Sequence, residues 1–143
     1  MSETTKQELL KGLNEDLAHE YAAVIMYRTY ASMVQGPYRQ ELRAFFGAEV
    51  PDELLHAQLL ADKIAVMGGT PTTRPSEVEQ AGDARAMLEN ALAAEANAVE
   101  RYVVRRRQAQ DLGEHGLAVD LDTLIADETK HRDELELMLA RWE

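Results

Sequence analysis

Apolar residues recur along this chain at alternating steps of four and three, the period that places them on one stripe of an α-helix. Four long segments carry it. In the first, about residues 6–35, Leu13, Leu17, Val24, Tyr27, Ala31 and Val34 share a stripe. It stops at Gly36-Pro37, a turn signal whose proline also suits the first turn of the next helix. The second segment, about 37–67, aligns Leu42, Phe46, Leu60 and Met67, and the third, about 83–112, aligns Leu88, Leu92, Val99 and Tyr102. Gly113 and Gly116 bracket a short turn before the fourth, about 116–142, which aligns Leu117, Leu121, Leu124, Leu135, Met138 and Trp142. Between the second and third lies Gly68-Gly69-Thr70-Pro71-Thr72-Thr73-Arg74-Pro75 and a polar stretch to Gly82, where two glycines and two prolines break any helix. Tight turns make the helices of each pair antiparallel neighbours, and the longer segment must run along the bundle. The expected fold is all-α: a four-helix bundle of two antiparallel hairpins joined by one long crossover, in a single domain over residues 1–143.

The stripes are interrupted by charge. Glu20, Glu53 and His56 stand where apolar residues belong, and they recur 75 positions later as Glu95, Glu128 and His131 with every spacing unchanged. The same offset matches Ala18 with Ala93, Ala23 with Ala98, Val24 with Val99, Tyr27 with Tyr102 and Asp52 with Asp127. The midpoint of Glu20 and Glu53 falls at the Gly36-Pro37 turn, and that of Glu95 and Glu128 beside Gly113. Each pair therefore lies level, roughly 25 Å from its turn at about 1.5 Å of rise per residue. Four carboxylates in one layer inside a bundle would each cost several kcal/mol, on the order of 3–5, without a partner. No Lys or Arg is read on these stripes near the layer, and two divalent cations would balance the four charges. Glu53 and His56, like Glu128 and His131, are close to one turn apart and project to one side. One Glu from each of two helices, with Glu-x-x-His from each of the others, is the ligand inventory of a two-metal carboxylate bundle. A lone Glu-x-x-His would mean little in so acidic a chain, as the near-miss Asp16-x-x-His19 shows. Oxygen and nitrogen donors suit iron, manganese or zinc better than copper(I).

Composition narrows the alternatives. A formal net charge of −11 argues against a nucleic-acid partner, whose phosphates need Lys and Arg. The one basic run, Arg105-Arg106-Arg107, reads as a solvated helix face near a carboxyl end. The absence of cysteine excludes disulfides, iron–sulfur clusters and thiolate zinc. The first residues, Met1-Ser2-Glu3-Thr4-Thr5-Lys6, form no apolar signal core, and no apolar run approaches the roughly 20 residues that span a bilayer. A cytoplasmic protein with no membrane partner is expected.

Across about residues 6–142 the sequence resembles the ferritin-like di-iron carboxylate superfamily, and bacterioferritins most. The segments that carry the resemblance are Glu20 with Tyr27, Asp52-Glu53-Leu54-Leu55-His56, Glu95, and Asp127-Glu128-Thr129-Lys130-His131. The resemblance implies a ferroxidase centre in which Glu20 and His56 serve one iron, Glu95 and His131 the other, and Glu53 and Glu128 bridge. Bacterioferritins place a haem-ligating Met directly after the second-helix Glu; Leu54 stands here, so haem is not expected. They also carry a fifth short helix that helps close a shell, whereas this sequence ends at Glu143, so a 24-subunit cage is not implied. Some carry an inner-surface His where Ala48 stands. Rubrerythrins add a Glu where Ala98 stands, which weakens a peroxidase reading.

The expected function is that of a ferroxidase-type enzyme binding two Fe(II) and oxidising them with O2 or H2O2, possible ends being iron storage or detoxification. The alternatives are a di-manganese or mixed-metal peroxide-scavenging protein and a non-catalytic metal-binding bundle. Asp52 and Asp127, each four residues before a ligand His, could fix an imidazole, including the one on the opposite half. Tyr27 and Tyr102 could bond ligand carboxylates or simply fill the core. Glu49, one turn before Glu53 on the inner stripe of the second segment, reads as a partly exposed helix residue with a metal-relay role as the other option. Pro51 predicts a kink or bulge just before Glu53. His19 and His115 read as surface residues, and Met26, Met33 and Met67 as packing. Exposed apolar side chains, Tyr30 and Tyr38 among the candidates, predict a homo-oligomer, a two-fold dimer at least.

Overall fold

A computed structural model describes residues 4–142; residues 1–3, the start of the polar amino terminus, and residue 143 lie outside it. Four helices account for most of the described chain: α1 (Lys6–Met33), α2 (Arg39–Val66), α3 (Ala84–Asp111) and α4 (His115–Leu139). Thr5 caps α1 by accepting from the Glu8 amide at 3.1 Å, and Asp83 caps α3 by accepting from the Ala86 amide at 2.8 Å. The elements match the periodic segments, with ends shifted by up to three residues. Pro37 lies in the turn, before α2 rather than in its first helical turn, because Gly36 takes a φ of 106° that reverses the chain. Trp142 lies beyond α4 and packs edge-on against Tyr38 at the α1–α2 turn, ring centroids 5.3 Å apart.

Helix α1 packs along α2, α3 along α4, and α1 meets α3. Two apolar clusters fill the interior. Leu9, Leu13, Leu17, Leu60, Ile64 and Leu121 anchor one, and Tyr27, Tyr30, Phe46, Leu88 and Leu135 anchor the other. The crossover is tied to α1 along its length. Asn14 bonds to the Thr70 carbonyl and the Thr72 amide, the Ser76 amide donates to the Ala18 carbonyl, and the Tyr30 hydroxyl donates to the Glu79 carbonyl. Tyr30 is thus buried and not an exposed apolar candidate, whereas Tyr38 is half exposed. Met26 and Met67 pack in the core, but Met33, at the last residue of α1, is exposed.

Helix α2 continues through Pro51 with an unbroken α-helical pattern, so the bulge expected there does not form. Pro51 and Gly47 both face solvent, and water can satisfy the Gly47 carbonyl that the proline leaves without a donor. Among the described residues no helix is long and apolar enough to cross a membrane.

Candidate metal centre

The layer between the two apolar clusters is charged. Glu20 comes from α1, Glu53 and His56 from α2, Glu95 from α3, and Glu128 and His131 from α4; all but His131 are buried, the four carboxylates to 1–2% exposure. Their donor atoms form two groups, each with every ligand atom within 4.8 Å of the others: Glu20, Glu53, His56 and Glu128, and Glu49, Glu53, Glu95 and His131. All six residues singled out from the repeat are therefore brought together, and Glu53 belongs to both groups. Glu128 also lies between them, with its Oε1 3.2 Å from His56 Nδ1 and 3.4 Å from His131 Nδ1.

The neighbours of these side chains follow a crosswise rule. His56 Nε2 donates to Asp127 Oδ2 at 3.1 Å, and His131 Nε2 lies 3.5 Å from Asp52 Oδ2, so each imidazole faces the Asp of the other half. That contact aims Nδ1 of each ring into the carboxylate layer. Tyr27 on α1 donates to Glu95 on α3 at 2.6 Å, and Tyr102 on α3 donates to Glu20 on α1. Burial, with the facing carboxylates, pushes both phenols well above their ordinary range, so they remain proton donors.

Electrostatics show what the cluster lacks. Burial, reinforced for Glu53 by the Glu20 charge, raises Glu53 and Glu95 well above the usual carboxyl range. Burial would lower both imidazoles, but the surrounding carboxylates outweigh it. Glu128 and Glu20 hold His56 up at about 11, and Glu128, Glu49, Glu53 and Glu95 raise His131 strongly. Burial alone would raise Glu128, yet the His131 and His56 imidazoles beside it pull it down. Among the described residues, buried atoms here remain without a hydrogen-bond partner: both oxygens of Glu53, one each of Glu20, Glu49, Glu95 and Glu128, and Nδ1 of both histidines. Buried polar atoms are rarely left so. Convergent, unpartnered oxygen and imidazole donors fit hard or borderline divalent cations.

Two residues depart from their sequence-based expectations. Glu49 is only 7% exposed, and its Oε2 lies 2.9 Å from His131 Nδ1, making it a fifth carboxylate and upsetting the balance of four charges against two divalent cations. Its place on the inner stripe between Phe46 and Glu53, and its repeat mate Leu124 in the core, were the available signals for burial. Arg105 is likewise buried. Its Nε donates to Asp16 Oδ2 at 2.7 Å and its Nη2 to Asp16 Oδ1 at 3.1 Å, with Asp16 wholly buried. The guanidinium lies so close to Gly12 that an added Cβ would stand 1.9 Å from Nη1. Arg105 lies one turn beyond Tyr102 on the inner stripe of α3, so that stripe does carry a cation near the layer. It neutralises Asp16, while among the described residues the four Glu of the layer have only imidazoles as ion-pair partners. Arg106 pairs with Asp122 at 2.8 Å, and Arg107 is exposed as expected. His19 and His115 are both exposed.

A cavity of about 190 Å³ between α1, α3 and crossover residues 77–79 reaches Glu20, Glu53, Glu95 and Glu128. Ala22, Ala94 and Ala98 keep it open, and His19 and Arg101 contribute to its lining.

Known proteins resemble this chain in sequence and fold. A family model described as a ferritin-like domain matches residues 10–143. A bacterioferritin of Mycobacterium bovis is 32% identical over 136 residues, covering 92% of this chain and 84% of that protein. The crystal structure of a ferritin-like diiron-carboxylate protein from Bacillus anthracis superposes with a TM-score of 0.93 at 50% identity, over 97% of this chain and 99% of that one. Dps from Thermosynechococcus elongatus reaches a TM-score of 0.90 over 96% of this chain and 94% of that one, but at 20% identity the likeness is one of fold.

Proposed function

Because the chain belongs to the ferritin-like domain family, we propose that its two overlapping donor groups form a ferroxidase centre. The observation that carries this reading is the pair of four-residue groups sharing Glu53, with buried donor atoms that have no hydrogen-bond partner among the described residues. Two Fe(II) are the substrate. Each loses one electron, and the pair reduces one O2 to H2O2, or one H2O2 to water, with two protons taken up in either case.

The residues have distinct tasks. Glu20 and His56 hold one iron, Glu95 and His131 the other, and Glu53 and Glu128 lie between them. Asp127 and Asp52 orient the imidazoles from the solvent side, while Tyr102 and Tyr27 fix the terminal carboxylates Glu20 and Glu95. His56 and His131 must give up their Nδ1 protons as iron enters, so iron and protons compete for one space. The cavity beside Ala22 and Ala98 offers a route from solvent to the carboxylates. Self-association is part of the proposal, since Ile25, Leu54, Leu55 and Val66 are exposed apolar residues on α1 and α2.

The test is anaerobic loading with two Fe(II) per chain, followed by a pulse of O2 and stopped-flow absorbance. Wild-type protein should oxidise both irons far faster than buffer, and Glu53→Ala should not. Stoichiometric binding without accelerated oxidation by O2 or H2O2 would leave a non-catalytic metal-binding bundle. Elemental analysis of protein purified without added metal separates the iron reading from a manganese one.

A further inference from the structure

The 75-residue repeat makes the two metal positions equivalent in all but one buried donor. Glu20 corresponds to Glu95, His56 to His131 and Glu53 to Glu128, but Glu49 corresponds to Leu124. Leu124 is a core residue, whereas Glu49, more than nine-tenths buried, directs an unpartnered Oε2 into the group built on His131. That oxygen lies 2.9 Å from His131 Nδ1, closer than Glu53 Oε1 at 3.5 Å or Glu95 Oε2 at 3.6 Å. Among the described residues no counterpart approaches His56, whose Nδ1 faces Glu20, Glu53 and Glu128.

We propose that Glu49 is a seventh ligand, found only at the His131 position, and that it makes this position the tighter and first-filled of the two. The inference rests on the metal-centre reading above and adds to it an order of filling. The number of anionic oxygens at a hard divalent cation sets affinity strongly. An additional carboxylate therefore favours the His131 position. Glu49 is also buried, with only the His131 imidazole within reach of its Oε2 among the described residues, so a cation shared by the two would offset its desolvation, whereas Leu124 has nothing to gain. The His56 position, with fewer terminal donors, fills second. Oxidation then waits on the weaker site, and protein carrying one cation per chain is a single species rather than a mixture.

Titration with Co(II), which needs no oxidant and reports its coordination by visible absorbance, tests this. Wild-type protein should bind in two steps at least about tenfold apart. Glu49→Gln, which keeps the shape and polarity, should weaken the first step by about tenfold or more, leave the second unchanged, and merge the two. Glu49→Leu, copying residue 124, should do the same, with circular dichroism confirming the fold of both variants. Crystals with one Co(II) per chain should show anomalous scattering beside His131. Equal affinities in the wild type, equal weakening of both steps by Glu49→Gln, or a first peak beside His56 would each overturn the proposal. Absence of any Co(II) binding by the wild type would instead sink the metal-centre reading, and the inference with it.

Discussion

Replacing Glu53 with Gln separates the fold from the function more cleanly than any other single change. Glu53 is shared by both donor groups, and both its oxygens are buried without a hydrogen-bond partner. Burial raises its pKa, so the metal-free protein holds it protonated beyond the usual carboxyl range. A Gln amide has the shape of that protonated form and no charge to lose. Without metal, Glu53→Gln should therefore be more stable than wild type at neutral pH, by about 1.4 kcal/mol for each pH unit between the ordinary carboxyl value and the folded one. The sign follows from linkage: a carboxyl raised by folding loses stability as pH climbs from its ordinary value near 4.5 toward the folded one. The advantage of Gln should thus widen with pH. With metal the order reverses. At a free cation concentration of about 100 Kd each site adds about 2.7 kcal/mol, so two sites add about 5 kcal/mol to wild type. At about 3 °C per kcal/mol for a chain of this length, Co(II) should raise the wild-type Tm by about 15 °C. Glu53→Gln should gain only a small part of that. Scanning calorimetry of both proteins, with and without Co(II), measures all four quantities. If Glu53→Gln melts below wild type without metal, or gains as much from Co(II), a charged layer stabilised by cations is the wrong account.

Three further outcomes are expected. Loading with Co(II) at pH 7 in weak buffer should release at least about two protons per chain, because both imidazoles hold protons that the cations displace. His56, raised from 6.5 to about 11, contributes apo-protein stability that is full below pH 6.5 and disappears as pH rises through about 11, so metal affinity should climb with pH across that window; release of less than one proton would contradict this. Arg105→Met leaves the buried Asp16 carboxylate without its bidentate partner and should cost about 3–5 kcal/mol in urea denaturation. The double change with Asp16→Leu should recover most of that, whereas a solvated arginine would lose at most about 0.5 kcal/mol. Asp127→Ala should lower Co(II) affinity by about 10–100-fold. Asp52→Ala should lower it less, since its contact is 3.5 Å rather than 3.1 Å; calorimetric titration compares the two, and equal affinity in wild type and Asp127→Ala would dismiss the orienting role.

Periodicity and the internal repeat carried a great deal. Stripe positions and breaker residues were enough to place four helices within three residues of their ends, because burial of one face and the cost of Gly and Pro are local properties of the chain. Spacing from each turn put Glu20, Glu53, Glu95 and Glu128 at one height, because helical rise converts residue count into length. What the periodicity could not supply was the partner across the bundle. A stripe tells which side faces inward, but not which helix it faces or whether a charge near its edge is sheltered. Tertiary packing decided that Asp127 serves His56 and that Tyr27 serves Glu95. It also decided that Arg105 turns inward to Asp16, and that Glu49 joins the His131 group. Three of those burials had a trace in the repeat, for Glu49, Asp16 and Arg105 occupy the positions of Leu124, Ala91 and Tyr30, all buried in the other half. The trace marks burial only, since a residue's chemistry inside a bundle depends on atoms that neighbouring helices bring within a few ångströms.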